Sequence, residues 1–113
     1  MLDVTANTDL AMPAGLDAKG RLAHRIIAKF LRDEGLTYTG GCRAFYSPAE
    51  WSGRGEQYGT TSHLIVVYDG GDLRECMSLD GSYKVYERLD QRLRAAGLYS
   101  EECTCWYTAI YSL

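Results

Sequence analysis

The chain has 113 residues, of which 46% are hydrophobic and 24% charged, and its 12 basic and 15 acidic side chains leave a formal charge of −3. That length suffices for one domain with its own core, and the composition excludes wholesale disorder. The negative balance opposes the long-range attraction behind non-specific nucleic-acid binding, and no apolar run approaches the roughly 20 residues that span a bilayer.

Met1 to Gly15 has no basic start and no sustained apolar centre, so it does not read as a secretory signal and a cytoplasmic setting is expected. Residues 1–16, with Pro13 and Gly15 among small polar residues, read as a flexible or loosely docked arm preceding a single domain at 17–113. Leu2 and Val4 offer that arm a short edge strand. From Asp17 to Glu34, Leu22, Ile26, Ile27, Phe30 and Leu31 recur at helical spacing, and Gly35 is placed to end the helix in the left-handed conformation. Gly20 weakens the first turn by about 1 kcal/mol relative to alanine. Arg21, Arg25, Lys29 and Arg32 line one stripe of this helix, read as a solvated face opposite the core.

After Gly40-Gly41, a strand is expected from Cys42 to Tyr46. Ser47-Pro48-Ala49-Glu50 then supplies an N-cap, an N1 proline and a capping-box glutamate for a short helix through Trp51. Gly53, Gly55 and Gly59 mark a loop that lacks the context of a phosphate-binding turn. His63-Leu64-Ile65-Val66-Val67-Tyr68 is the best candidate for a central strand. Its end at Asp69-Gly70-Gly71-Asp72 leads either to a hairpin partner at Leu73 to Leu79 or to an irregular crossing. Ser82 is placed to cap a second helix bearing Tyr86, Leu89, Leu93 and Ala96, which Gly97 ends, and a last strand is expected from Cys103 to Tyr111. Leu31-Arg32-Asp33-Glu34-Gly35-Leu36 returns as Leu93-Arg94-Ala95-Ala96-Gly97-Leu98, which supports equivalent roles for the two helix ends.

The succession points to an α+β fold. Its expected form is two-layer: a mainly antiparallel sheet of three to five strands with two main helices on one face, ferredoxin-like or a variant. Alternation puts Cys42, Ala44 and Tyr46 on one side of the first strand and Cys103, Cys105, Tyr107, Ala109 and Tyr111 on one side of the last. Their small members suggest that helices cover that side. The other side then holds Arg43, Phe45, Thr104, Trp106, Thr108 and Ile110, which makes these six the candidate partner-binding residues, for self-association or for a protein partner. The alternative is that the loop from Trp51 to Gly59, or the N-terminal arm, covers this second face.

Other functions have weaker sequence support. Phe45, Tyr68 and Trp106 could stack on unpaired bases, so single-stranded nucleic-acid binding is a second alternative, although nucleic acid is disfavoured by charge and by the lack of a basic, glycine-rich aromatic octamer. A small enzyme or ligand-binding protein would use Tyr58, Asp69 and Asp72, between the glycine loop and the acidic turn. Cys42, His63 and Asp69 or Asp72 supply the residue types of a nucleophilic triad, but His63 and Asp69 lie about 20 Å apart along a strand at roughly 3.3 Å per residue. Cys103-Thr104-Cys105 is an awkward chelate. With Cys42 and either Cys76 or His63 it makes only a strained ligand set, so buried thiols filling small gaps are the simpler reading, and no metal or cofactor is expected.

The segments 38–51, with Gly40-Gly41-Cys42-Arg43-Ala44-Phe45-Tyr46-Ser47-Pro48, Tyr68-Asp69-Gly70-Gly71-Asp72-Leu73, and Cys103-Thr104-Cys105-Trp106-Tyr107 together resemble small uncharacterised proteins of bacterial phages and mobile elements. The resemblance covers most of the chain beyond the arm and implies no activity and no site residues. It implies a context in which small acidic α+β proteins bind and block host proteins, anti-CRISPR inhibitors being one such group. Residues and resemblance together favour a non-enzymatic protein-interaction module, one that binds and inhibits a host defence protein.

Overall fold

The computed structural model describes residues 8–68, 71–78 and 81–113. Within them a 3-10 turn (Thr8–Leu10) precedes helix α1 (Ala18–Glu34), strand β1 (Phe45–Tyr46), helix α2 (Pro48–Gly53), strand β2 (Leu64–Val67), helix α3 (Leu73–Met77), helix α4 (Tyr83–Ala95) and the hairpin β3 (Leu98–Thr104) and β4 (Tyr107–Ser112). The sheet is open, antiparallel throughout and ordered β1-β2-β4-β3. The fold is thus α+β, with the two main helices α1 and α4 on one face of an antiparallel sheet.

Local chemistry explains the ends of these elements. Asp17 caps α1 by accepting the Gly20 amide at 2.8 Å. At the other end Gly35 takes φ +72°, and the Leu36 amide reaches back to the Leu31 carbonyl at 2.8 Å, a Schellman closure. Arg21, Arg25, Lys29 and Arg32 all remain exposed. Ser47 and Glu50 form the reciprocal capping box of α2, with Pro48 at its first position. The repeated hexapeptide does equivalent work at both ends: Leu31 and Leu93 are fully buried, and Gly35 and Gly97 both have positive φ. After Gly97 the strand begins at once, whereas after Gly35 residues 36–44 form a loop.

Three expectations about the strands are corrected. The first strand is only Phe45–Tyr46, because Gly40 and Gly41 both have positive φ and the Ala44 amide bonds Asp9 of the N-terminal segment. Leu73 to Met77 is a helix, since Leu73, Cys76 and Met77 bury one helical face; Leu79 and Asp69 lie outside the described residues, as do Leu2 and Val4. The final segment is a hairpin that starts at Leu98 and turns at Cys105-Trp106, with a bulge between Glu102 and Thr104.

The faces of the sheet are also the reverse of the expectation. Phe45, Leu64, Val66, Leu98 and Ile110 pack beneath α1, α3 and α4 with Ile27, Phe30, Leu31, Leu73, Met77, Leu89 and Leu93. From the N-terminal segment Leu10 and Leu16 join the same core. The opposite face carries Ile65, Tyr107 and Ala109, on which α2 places Trp51 with no exposed surface. The loop after α2 continues this cover. Gly59 sits where an added Cβ would strike Ile65 and Ala109, and the Tyr107 hydroxyl donates to the Tyr58 carbonyl at 3.2 Å. The long aliphatic side chains thus fill the wide space under the helices, and the small Ala109 and Gly59 make room for one indole.

One buried titratable group faces the main core. His24, 8% exposed, stands edge-on to Phe45 with ring centroids 4.6 Å apart and donates Nε2–H to the Leu10 carbonyl at 2.8 Å. A carbonyl can only accept, so Nδ1 is the unprotonated nitrogen, and it is buried without a partner. Burial pushes the imidazole below its ordinary value of 6.5. Below that value the unfolded chain binds the proton that the native state resists, so stability falls on acidification. In thermal melts between pH 7.5 and 5, His24→Gln, which keeps a donor for Leu10, is expected to lose less stability than wild type. Equal losses would contradict a neutral buried His24. Trp51→Ala is expected to cost about 3–5 kcal/mol by chemical denaturation, a large share of the roughly 5–15 kcal/mol of a typical domain.

Candidate functional site

Two constellations stand out, at opposite ends of the central strands β2 and β4. The first surrounds the tip of the β3–β4 hairpin. Tyr68 fixes this tip: its amide donates to the Trp106 carbonyl at 3.0 Å, and its hydroxyl lies 2.9 Å from that of Thr108. Burial pushes the Tyr68 phenol up to about 12, so it stays protonated and available for that bond. From α3, Arg74 adds a hydrogen bond to the Cys105 carbonyl at 3.0 Å.

Trp106, held by this rigid tip, is half-buried against Trp51 and Tyr107, with centroids 5.7 and 4.8 Å away. Beside it, Arg43 lies over the half-buried Tyr46 ring at 4.1 Å, and Arg54 lies over Trp51 at 4.5 Å and Tyr46 at 5.5 Å. Arg43 also grips Glu50 through two bonds of 2.9 and 2.7 Å, which hold the Glu50 carboxyl below its usual range. The ion pair of Arg54 with Glu56 is looser, at 3.6 Å. Arg43, Tyr46, Arg54 and Trp106 are therefore grouped at the surface around the buried Trp51, which Tyr46, Arg54 and Trp106 each contact.

Of the six expected partner-binding residues, Arg43, Thr104 and Trp106 lie at or beside this group. Phe45, Thr108 and Ile110 do not: each has no exposed surface, because the register places all three on the helix-covered face. The same burial removes Phe45 and Tyr68 as stacking platforms for bases. The loop from Trp51 to Gly59 does cover the face that the helices leave open, but that face carries Ile65, Tyr107 and Ala109 rather than Phe45, Thr108 and Ile110. Alternation grouped Phe45 with Thr108 and Ile110 correctly, and the error lay in giving the helices to the side with the small residues; the turn at Cys105-Trp106 moved Trp106 to the face of Tyr107, and Tyr46 and Arg54 were missed because nothing in their spacing links them to Trp106.

The proposed ligand loop is not assembled. Asp72 is engaged with the loop before β1, donating its amide to the Tyr38 carbonyl at 2.7 Å and accepting the Tyr38 amide at 3.1 Å. Tyr58 lies exposed in the loop across the other sheet face, Asp69 is outside the described residues, and no cavity is found among those described. The cysteines are likewise apart. Cys76 is buried under the helices, where its thiol is pushed up to about 12; Cys103 packs beside Gly59; Cys42 and Cys105 are exposed. No group of three metal-ligating side chains occurs among the described residues. His63 does not meet Cys42, so that triad is absent.

His63 instead joins a different pair of residues. Its Nδ1 lies 2.8 Å from Asp17 Oδ2, and its Nε2 lies 3.0 Å from Ser112 Oγ. Three elements converge here: the N-cap of α1, the residue before β2 and the end of β4. Burial alone would raise the Asp17 carboxyl, but the Gly20 amide and His63 outweigh it and hold it low. An ionised carboxylate only accepts, so Nδ1 carries a proton, and in the neutral ring Nε2 then accepts from the serine hydroxyl. Nothing in the spacing of 17, 63 and 112 announces this set.

No known protein family, curated protein or solved structure matches the chain. Among the described residues no helix is long and apolar enough to cross a membrane.

Gly20 belongs to this second constellation. A Cβ there would collide with the His63 carbonyl and press on Asp17 Oδ1. Helix propensity alone predicts that Gly20→Ala stabilises by about 1 kcal/mol, whereas forcing atoms into a packed contact costs about 1–3 kcal/mol. The expected outcome is a lower melting temperature for Gly20→Ala; a higher one would show that α1 does not rest on His63.

Proposed function

We propose that this chain acts by binding a protein partner through the Arg43–Tyr46–Arg54–Trp106 stripe. The observation that supports the reading most is the half-buried Trp106, anchored against Trp51 on a hairpin tip that Tyr68 and Arg74 hold in place. Tryptophan, tyrosine and arginine are the residue types that dominate binding energy at interfaces, and rings held in place beforehand lose little entropy on docking. Arg54, exposed and held to Glu56 only by a 3.6 Å ion pair, is placed to meet a carboxylate of the partner. The stripe carries its own glutamates and the chain is acidic overall, which favours a protein over a polynucleotide.

The resemblance to phage and mobile-element proteins gives the proposal a biological direction: the partner is a host protein, and binding blocks it. Trp106→Ala is expected to weaken capture of that protein from the native host by about 2 kcal/mol or more, roughly 30-fold, with unchanged far-UV circular dichroism. Capture of the same protein with unchanged affinity would count against the stripe. Native mass spectrometry adds a control, since a homodimer dispersed by Trp106→Ala would assign the stripe to self-association instead.

A further inference from the structure

The Asp17–His63–Ser112 set lies away from the stripe, about 20 Å from Trp106 along β4 at roughly 3.3 Å per residue, and the binding function does not use it. Its connectivity is directional. Asp17 Oδ1 is occupied by the Gly20 amide at 2.8 Å, which turns Oδ2 toward His63 Nδ1. The His63 amide is pinned to the Ile110 carbonyl at 2.8 Å, and Ser112 stands in the ladder opposite Leu98, so all three side chains start from rigid backbone. The tautomer imposed by Asp17 leaves the Nε2 lone pair facing the serine hydroxyl 3.0 Å away, within the range for general-base proton removal. His63 and Ser112 are only half-buried, so a small electrophile reaches them from solvent.

The geometry points to Ser112 as an activated nucleophile, with His63 as its general base and Asp17 as the positioning residue, acting on small unhindered acyl esters. Ser112 Oγ adds to the ester carbonyl carbon while its proton passes to His63 Nε2. The C–O bond to the leaving alcohol then breaks, and that alcohol takes the proton from Nε2. A water molecule, deprotonated by His63, attacks the acyl-serine; the acid departs and Ser112 recovers its proton. No oxidant, metal or cofactor is required. Because no cavity is found among the described residues, substrate binding contributes little, and covalent capture of the serine reads the site more sensitively than turnover.

An alkyl fluorophosphonate tests this on the full chain. Ser112 Oγ forms a bond to phosphorus, the P–F bond breaks, fluoride leaves and the hydroxyl proton passes to His63. Peptide mass mapping is expected to find the label on Ser112 in wild type, no label there in Ser112→Ala, and labelling at least about 100-fold slower in His63→Gln. Asp17→Asn separates relay from structure. Asparagine is an equally good N-cap, so helix and melting behaviour persist. Its amide donates to Nδ1, however, and so moves the ring proton to Nε2, the wrong tautomer for a base, and labelling is expected to fall by a similar factor. Absence of label on Ser112 in wild type, or labelling of a folded His63→Gln or Asp17→Asn protein at the wild-type rate, overturns the inference.

Discussion

The fold depends on burial of the Trp51 indole against Ile65, Tyr107 and Ala109. An antiparallel sheet with helices on one side has a second face to satisfy, and here a six-residue helix with one large side chain covers its centre. The capping box of Ser47 and Glu50 turns the chain directly after β1, so Trp51 arrives over the middle of the sheet. Gly59 and Ala109 supply the space, and the indole Nε1, buried without a partner, is the cost of that placement. With this face filled by Trp51 against Ile65, the side chains of Leu64, Val66 and Ile110 are committed to the helices, and the register of the sheet follows.

The same wedge organises the outer surface. Trp51 is the floor on which Trp106 leans and over which Arg54 lies, so the aromatic stripe is an outward extension of the second core. At the far end of β2 and β4 a different need is met. The first turn of α1 must seat against the sheet, and it does so through a glycine, a capping carboxylate and a histidine that also reaches the last residue of β4. One pair of strands thus separates an aromatic surface from the Asp17–His63–Ser112 hydrogen-bonded set.

Much of this was legible in the residues where a local rule decides the outcome. Gly35, Ser47-Pro48-Ala49-Glu50 and Gly97 each act within one turn of chain, and each does what its type dictates. The apolar run from Leu64 to Val67 is central because it is buried on both faces. Long-range geometry was not legible. Cys103 to Tyr111 has the alternation of one strand, yet Trp106 N–H turns back to Thr104 Oγ1 at 3.3 Å and the chain reverses, so Trp106 joins the face of Tyr107. Phe45, Thr108 and Ile110 do share one face, as alternation has it, but the helices cover that face rather than the one bearing the small residues. The relay was invisible because its three members come from elements 46 and 49 positions apart, joined only once the sheet has formed.

The central claim is that one tryptophan fills the second face of the sheet while the other remains at the surface. Replacing Trp106 by phenylalanine leaves Trp51 as the sole indole, and its fluorescence then reports that site alone. The account predicts blue-shifted emission that acrylamide quenches slowly and only as the protein unfolds. Emission near that of free indole, with rapid quenching of the native protein, would mean that Trp51 is not buried and that the sheet faces are covered in some other way.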